Sequence, residues 1–211
     1  MAHPLAARLT GLYAIADSGV RAELPVLEKV RALCAGGAAV VQLRLKREGA
    51  REALAIARQS VALCRAQGVL CVINDRTDVA LLSGADGVHL GAEDLPIEDA
   101  RRIAPALLIG ATVRDLAGAR EAARLGADCV GYGPLFGTKT KSVNVPPRGL
   151  AALAEVCAAS PVPVIAIGGI DHARIGQVAR AGAAMAAVVG AALLQPDITV
   201  ATRALVEAFS P

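Results

Sequence analysis

The chain is 211 residues long, 55% hydrophobic, 19% charged and only 2% aromatic, with no Trp. That is enough length and apolar content for one sizeable core, and it excludes intrinsic disorder. The formal net charge of +3, from 22 basic and 19 acidic residues, gives no general pull towards nucleic acid or an acidic membrane, and so few stacking side chains argue against a single-strand binder.

In chain order, short apolar runs alternate with longer amphipathic ones. Strands are predicted over 12–16, 39–43, 70–73, 87–90, 107–111, 129–132, 164–167 and 184–189. Most are continuously apolar rather than alternating, which suits parallel strands covered on both sides. Helices are predicted between and after them, over 24–35, 50–66, 97–103, 116–125, 150–159, 172–181 and 198–209. Gly36, Gly68, Gly126 and Gly182 stand where a helix gives way to the next strand, and a left-handed residue is expected there. Eight β-then-α units imply right-handed crossovers and closure into a compact α/β (β/α)₈ TIM barrel, one domain over 1–211. A doubly wound open sheet is the alternative, but residues 16–20 after the first strand lack the glycine spacing of a dinucleotide fingerprint. The first residues lack signal-peptide features, and no apolar run spans a bilayer. Cys34, Cys64, Cys71, Cys129 and Cys157 are odd in number, widely spaced and without zinc spacing, so they read as buried, reduced thiols of a cytoplasmic protein.

In such barrels the active site forms at the C-terminal ends of the strands. Strand two ends in Gln42, Arg44 and Lys46, which share one face by alternation. Three polar groups there would be costly without partners, so they are expected to point into the barrel mouth. Strand three ends in Asn74 and Asp75, and strand four in His89, with Asp94 following. Asp75 and Asp94 could share a Mg²⁺, a hard cation that takes carboxylate oxygens alongside substrate phosphates. Taken singly, each could equally be a cap, for helices beginning at Thr77 and Ile97. Strand six leads into glycines and a proline, then Thr138, Lys139, Thr140 and Lys141, whose hydroxyls and ammonium groups suit a phosphate or diphosphate. Strand seven ends in Gly168 and Gly169, strand eight in Val189 and Gly190. Loops at these two places form the usual phosphate site of such barrels. The residues thus point to an enzyme with two phosphate sites, one of them metal-assisted.

Five blocks carry a resemblance: Gln42-Leu43-Arg44-x-Lys46; Ile73-Asn74-Asp75; Gly87-Val88-His89-Leu90-Gly91-x-Glu93-Asp94; Gly133-Pro134-x-Phe136-x-Thr138-x-Thr140-Lys141; and Ala166-Ile167-Gly168-Gly169-Ile170. In this order, over nearly the whole chain, they resemble the thiamine-phosphate synthase family. The resemblance implies condensation of 4-amino-5-hydroxymethyl-2-methylpyrimidine diphosphate with 4-methyl-5-(2-hydroxyethyl)thiazole phosphate, releasing thiamine phosphate and diphosphate. It implies Mg²⁺ on Asp75 and Asp94. Arg44, Lys46, Asn74, Thr112 and Lys141 would contact the diphosphate, with Arg44, Lys46 and Lys141 as the catalytic cations. Gln42 and His89 would line the pyrimidine pocket, and Thr138, Thr140, Gly169, Val189 and Gly190 would receive the thiazole phosphate. The partners are small molecules, with neither nucleic acid nor membrane; oligomeric state is left open, a homodimer included. The chain departs from the family pattern at Leu45, where an acid is frequent, and at Ala92 for Gln. It departs again at Thr112 for Ser, Arg114 for His, Gly137 for Pro and Gly190 for Ser. Rival expectations are a thiazole tautomerase of the same fold, which would need a His acid–base group where Arg114 stands, and a non-catalytic binder of thiamine precursors. A sugar-phosphate isomerase is more remote, since only His89 offers itself as acid or base.

Overall fold

A parallel strand packed on both faces needs no polar side, and the eight apolar runs form such strands. The computed structural model describes residues 3–137 and 146–209. The strands are β1 (Gly11–Asp17), β2 (Val40–Arg44), β3 (Leu70–Asn74), β4 (Gly87–Leu90), β5 (Leu108–Val113), β6 (Cys129–Tyr132), β7 (Val164–Ile167) and β8 (Met185–Val188). They pair in parallel and in sequence order, and β8 pairs back onto β1 to close the barrel. Around it lie α1 (Val26–Ala35), α2 (Ala50–Ala66), α3 (Thr77–Ser83), α4 (Ile97–Ile103), α5 (Leu116–Arg124), α6 (Gly149–Ala159), α7 (His172–Arg180), α8 (Gly190–Leu193) and α9 (Ile198–Ala208).

Alternation along each strand divides the core in two. Leu12, Val41, Ile73 and Val130 pack outwards against the helices, while Tyr13, Val40, Leu70, Leu108, Ile165 and Met185 form a separate cluster inside the barrel. That inner plug fills the lower lumen, and the mouth above it is where polar side chains collect. All seven predicted helices begin and end within two residues of the observed ones; α5, α7 and α9 open on Asp115, Asp171 and Asp197, whose carboxylates accept from Gly118 N at 2.7 Å, Arg174 N at 3.1 Å and Val200 N at 3.0 Å.

Three expectations need correction. Strand five runs on to Val113, so Thr112 belongs to the strand rather than to the loop after it. Gly36 has an ordinary φ of −78°, and the left-handed residue after α1 is Gly37 at φ +91°. Gly36 is instead required by packing, because a Cβ there would collide with Thr202 of α9. The short helix α8, after strand eight, was not foreseen as an element. The cysteines are free thiols, four of them buried and Cys157 half-buried. Among the described residues, no helix is long and apolar enough to cross a membrane.

Candidate active site

At the mouth the lumen-facing residues of neighbouring strands stand side by side. Asp17 on β1 and Arg44 on β2 are register partners. Arg44 Nη1 donates to Asp17 Oδ2 at 2.7 Å, and Gly19 N donates to Asp17 Oδ1 at 2.7 Å. One step deeper, the buried Gln42 donates through Nε2 to Tyr13 Oη at 2.8 Å, and burial pushes the Tyr13 hydroxyl far above its usual range. Gln42 is thereby held by a neutral phenol while lining the lumen.

Lys46, one residue beyond the loop start, pairs with Asp75 from the mouth of β3. Asp75 is a non-glycine residue at φ +66°, a left-handed conformation costly for most side chains, and its N–H donates to His89 O at 2.8 Å. Asp94 accepts from Gly91 N at 2.7 Å through Oδ2. Burial raises the Asp94 carboxyl above the ordinary carboxylate range, and the neighbouring Asp75 raises it further, against the lowering pull of the Gly91 amide and Lys46. The two carboxylates therefore face one another. Neither caps a helix: α3 begins after Arg76 and α4 after Pro96, with no side-chain cap on either. The cap alternative is set aside on that ground.

His89 leans from β4 across the lumen, and its Nε2 lies 2.9 Å from Thr112 Oγ1. The ring has room because β5 and β6 present glycines there. A Cβ on Gly110 would stand 2.7 Å from His89 Nδ1, and one on Gly131 2.9 Å from Cε1. On the opposite wall Gly168 and Gly169 take φ of +103° and +65°. A Cβ on Gly169 would meet Gly137 O at 2.5 Å, so the base of the loop after β6 is packed directly on the loop after β7. Arg174 ties these loops further, donating from Nη1 to Gly169 O at 2.9 Å with its guanidinium carbon 4.9 Å from the centre of the Phe136 ring.

One cavity of about 520 Å³ joins these groups. Of the sequence-predicted residues, Gln42, Arg44, Asn74, His89, Thr112, Gly169, Val189 and Gly190 line it. Lys46, Asp75 and Asp94 stand beside its wall, with Lys46 paired to Asp75, Asp75 N bonded to His89 O and Asp94 accepting from Gly91 N. Thr138, Thr140 and Lys141 lie outside the described residues. Arg44, Arg114 and Arg174 line the cavity against Asp17 and Asp171, an excess of positive charge that suits an anionic ligand. Asp17, Tyr13 and Arg174 were missed in the sequence. For Asp17 a signal existed: it follows Tyr13 and Ile15 on the same alternation that singled out Gln42 and Arg44.

Residues 12–192 match the family model described as thiamine monophosphate synthase. A thiamine-phosphate synthase of Myxococcus xanthus is 55% identical over 200 residues, 94% of this chain and 92% of that protein. One from Anaeromyxobacter dehalogenans is 50% identical over 204 residues, 96% of this chain and 89% of that protein. Among solved structures, a thiamine phosphate pyrophosphorylase from Pyrococcus furiosus is 38% identical and superposes with a TM-score of 0.89, over 97% of each chain.

Proposed function

The chain belongs to the thiamine monophosphate synthase family, and on that premise we propose how its barrel mouth divides the reaction. The activity is that of a transferase of thiamine biosynthesis, the formation of thiamine phosphate. In our reading the pyrimidine diphosphate lies over β2–β5 and the thiazole phosphate over the loops after β7 and β8. The carbon–oxygen bond to the diphosphate ionises, helped by the ring amino group of the pyrimidine, and the thiazole nitrogen then takes the methylene carbon. No side-chain nucleophile is required, and among the described residues the cavity wall carries no Cys or Ser.

What this chain must supply is charge and placement. Arg44 and Lys46 receive the negative charge that grows on the departing diphosphate, joined by Lys141 from outside the described residues. Asn74 and Thr112 offer further polar contacts to it. Gln42, fixed by Tyr13, and His89, fixed by Thr112, hold the pyrimidine edge. The amides of Gly169, Val189 and Gly190, with Thr138 and Thr140, receive the thiazole phosphate.

The donor set at Asp75 and Asp94 fits Mg²⁺. Two facing carboxylates, one destabilised as an anion by the other, gain from a divalent cation, and they leave further positions to waters and phosphates. Among the described residues no cluster of three or more His, Cys, Asp or Glu is placed to hold a metal by itself. When bound, the ion supplies positive charge to the leaving diphosphate. The free thiols suit a reducing compartment such as the cytoplasm.

The observation that carries the reading is the convergence of Arg44, Lys46, Asp75 and Asp94 on one side of the mouth. A tautomerase or a simple precursor binder has no use for that cation–carboxylate cluster. The test is incubation with both substrates and Mg²⁺, with thiamine phosphate detected by mass. Product that needs both substrates supports the reading; its absence from folded protein with both present counts against it.

A further inference from the structure

We infer that Asp17 is a positioning residue that aims Arg44 at the diphosphate, and that Lys29 anchors Asp17 from behind. The inference rests on the proposed role of Arg44. An arginine side chain has many rotamers, and at an open barrel mouth little else restrains it. Asp17 supplies the restraint. Its carboxylate is buried, with 6% of the side chain exposed, and it commits one oxygen to Gly19 N and the other to Arg44 Nη1. The backbone is tied in the same place, since Ser18 N donates to Arg44 O at 3.0 Å. Arginine has five N–H donors, so engaging Nη1 leaves others for the cavity that Arg44 lines.

Lys29 explains why Asp17 itself does not move. It sits on α1 at 0% exposure, which is rare for lysine. Its ammonium donates to Asp17 O at 3.0 Å and to Val20 O at 2.6 Å. Those bonds pin both ends of the turn that carries Asp17. Lys29 itself lies behind the loop and is not part of the cavity wall. Burying ion pairs is a weak route to stability, because desolvation offsets the attraction. Placement of Arg44 is the better account of the arrangement.

A double-mutant cycle tests this with Asp17→Asn, Arg44→Gln and the pair. Asp17→Asn is expected to lower kcat/KM for the pyrimidine diphosphate by roughly 10- to 100-fold, the worth of a charge-assisted hydrogen bond. Inhibition by inorganic diphosphate should weaken in step, with KM for the thiazole phosphate unchanged. In the Arg44→Gln background the further loss should nearly vanish. Equal losses in both backgrounds, or an equal rise in both KM values, would overturn the inference and leave Asp17 as part of the fold alone. If Arg44→Gln by itself keeps the wild-type rate, the diphosphate role of Arg44 falls, and the positioning role with it. Should Asp17→Asn fail to fold, Lys29→Met enters the same cycle, since it frees the turn without changing any group in the cavity wall; a loss that persists undiminished beside Arg44→Gln then overturns the inference.

Discussion

Alanine at Gly131 would place a methyl group against the ring of His89. Its Cβ would stand 2.9 Å from Cε1 and 3.3 Å from Nε2, whereas ordinary contact begins near 3.4 Å, so the ring must retreat by about 0.5 Å. The bond from His89 Nε2 to Thr112 Oγ1, now 2.9 Å, would then stretch towards the limit of a useful hydrogen bond. A misplacement of about 1 Å can cost roughly 100-fold in rate, so half that distance should cost about tenfold. Overpacking adds a stability loss of about 1–3 kcal/mol. Gly110→Ala should be worse, because its Cβ would meet His89 Nδ1 at 2.7 Å and Cys129 Sγ at 3.2 Å, so the methyl group is caught between ring and thiol and cannot shift away from the ring. The assay is steady-state formation of thiamine phosphate with each substrate varied in turn, beside urea unfolding of both variants. The expected result is a fall in kcat/KM for the pyrimidine diphosphate, graded from Gly131→Ala to Gly110→Ala, with KM for the thiazole phosphate within about twofold of wild type. Unchanged kcat/KM in Gly110→Ala, or an equal rise in both KM values, would refute the cradle argument.

Asp75→Asn and Asp94→Asn should each lower the single-turnover rate by roughly 10²–10³-fold, about 3–4 kcal/mol of transition-state stabilisation, with circular dichroism unchanged because neither residue caps a helix. Wild-type rates in both variants across a Mg²⁺ titration would remove the carboxylates from the reaction. Gly169→Ala puts a side chain at φ +65° and a Cβ 2.5 Å from Gly137 O, so KM for the thiazole phosphate should rise while inhibition by inorganic diphosphate stays nearly unchanged. Equal weakening of both would contradict two separate phosphate sites. Burial lowers the Lys29 ammonium below its ordinary 10.5, with Asp17 and Glu23 opposing, so between the folded and unfolded values the unfolded chain binds more protons. Stability therefore rises with pH through that window, and wild type should gain on Lys29→Met in urea unfolding as pH climbs towards 10.5. A gap that narrows instead would show that folding raises the pKa of Lys29.

The barrel was legible because eight apolar runs and intervening amphipathic stretches leave few other ways to cover a sheet. Helix α2 was predicted with its observed bounds, 50–66, since an amphipathic run of that length between two glycines is unambiguous. Helix α3 stood in the sequence only as a helix that Asp75 could cap, whereas α4, equally short, was predicted with its observed bounds, 97–103. Gly36 was misassigned because its need is steric and comes from α9, which meets α1 only in the folded chain. At the site, alternation on β2 pointed to Gln42, Arg44 and Lys46. The same alternation on β1 went unread because Asp17 closes an otherwise apolar strand and carries no partner nearby in sequence. Its partners, Arg44 and Lys29, become visible only through register and helix packing.

The cavity itself comes from what the lumen lacks. In a filled barrel the inward positions carry bulky side chains in layers. Here Leu9, Leu70, Leu108 and Met185 still do so at the lower end. One layer higher, β5, β6 and β8 present Gly110, Gly131 and Ala187, and the space they release is taken partly by the His89 ring and partly by the cavity. The same two glycines that empty the lumen thus fix where the imidazole sits. On the facing side the lumen is polar: Gln42 is buried at 3% exposure and held by Tyr13, and Asp17 is buried against Arg44. Missing core volume on one wall and buried polar groups on the other both cost stability. The outer shell of aliphatic strands and helices carries that cost, because its side chains face away from the mouth and pack without reference to it. Near the mouth, chemistry and stability therefore fall on opposite faces of the same strands, and a change at His89, Gly110 or Gly131 should alter activity before it alters the fold.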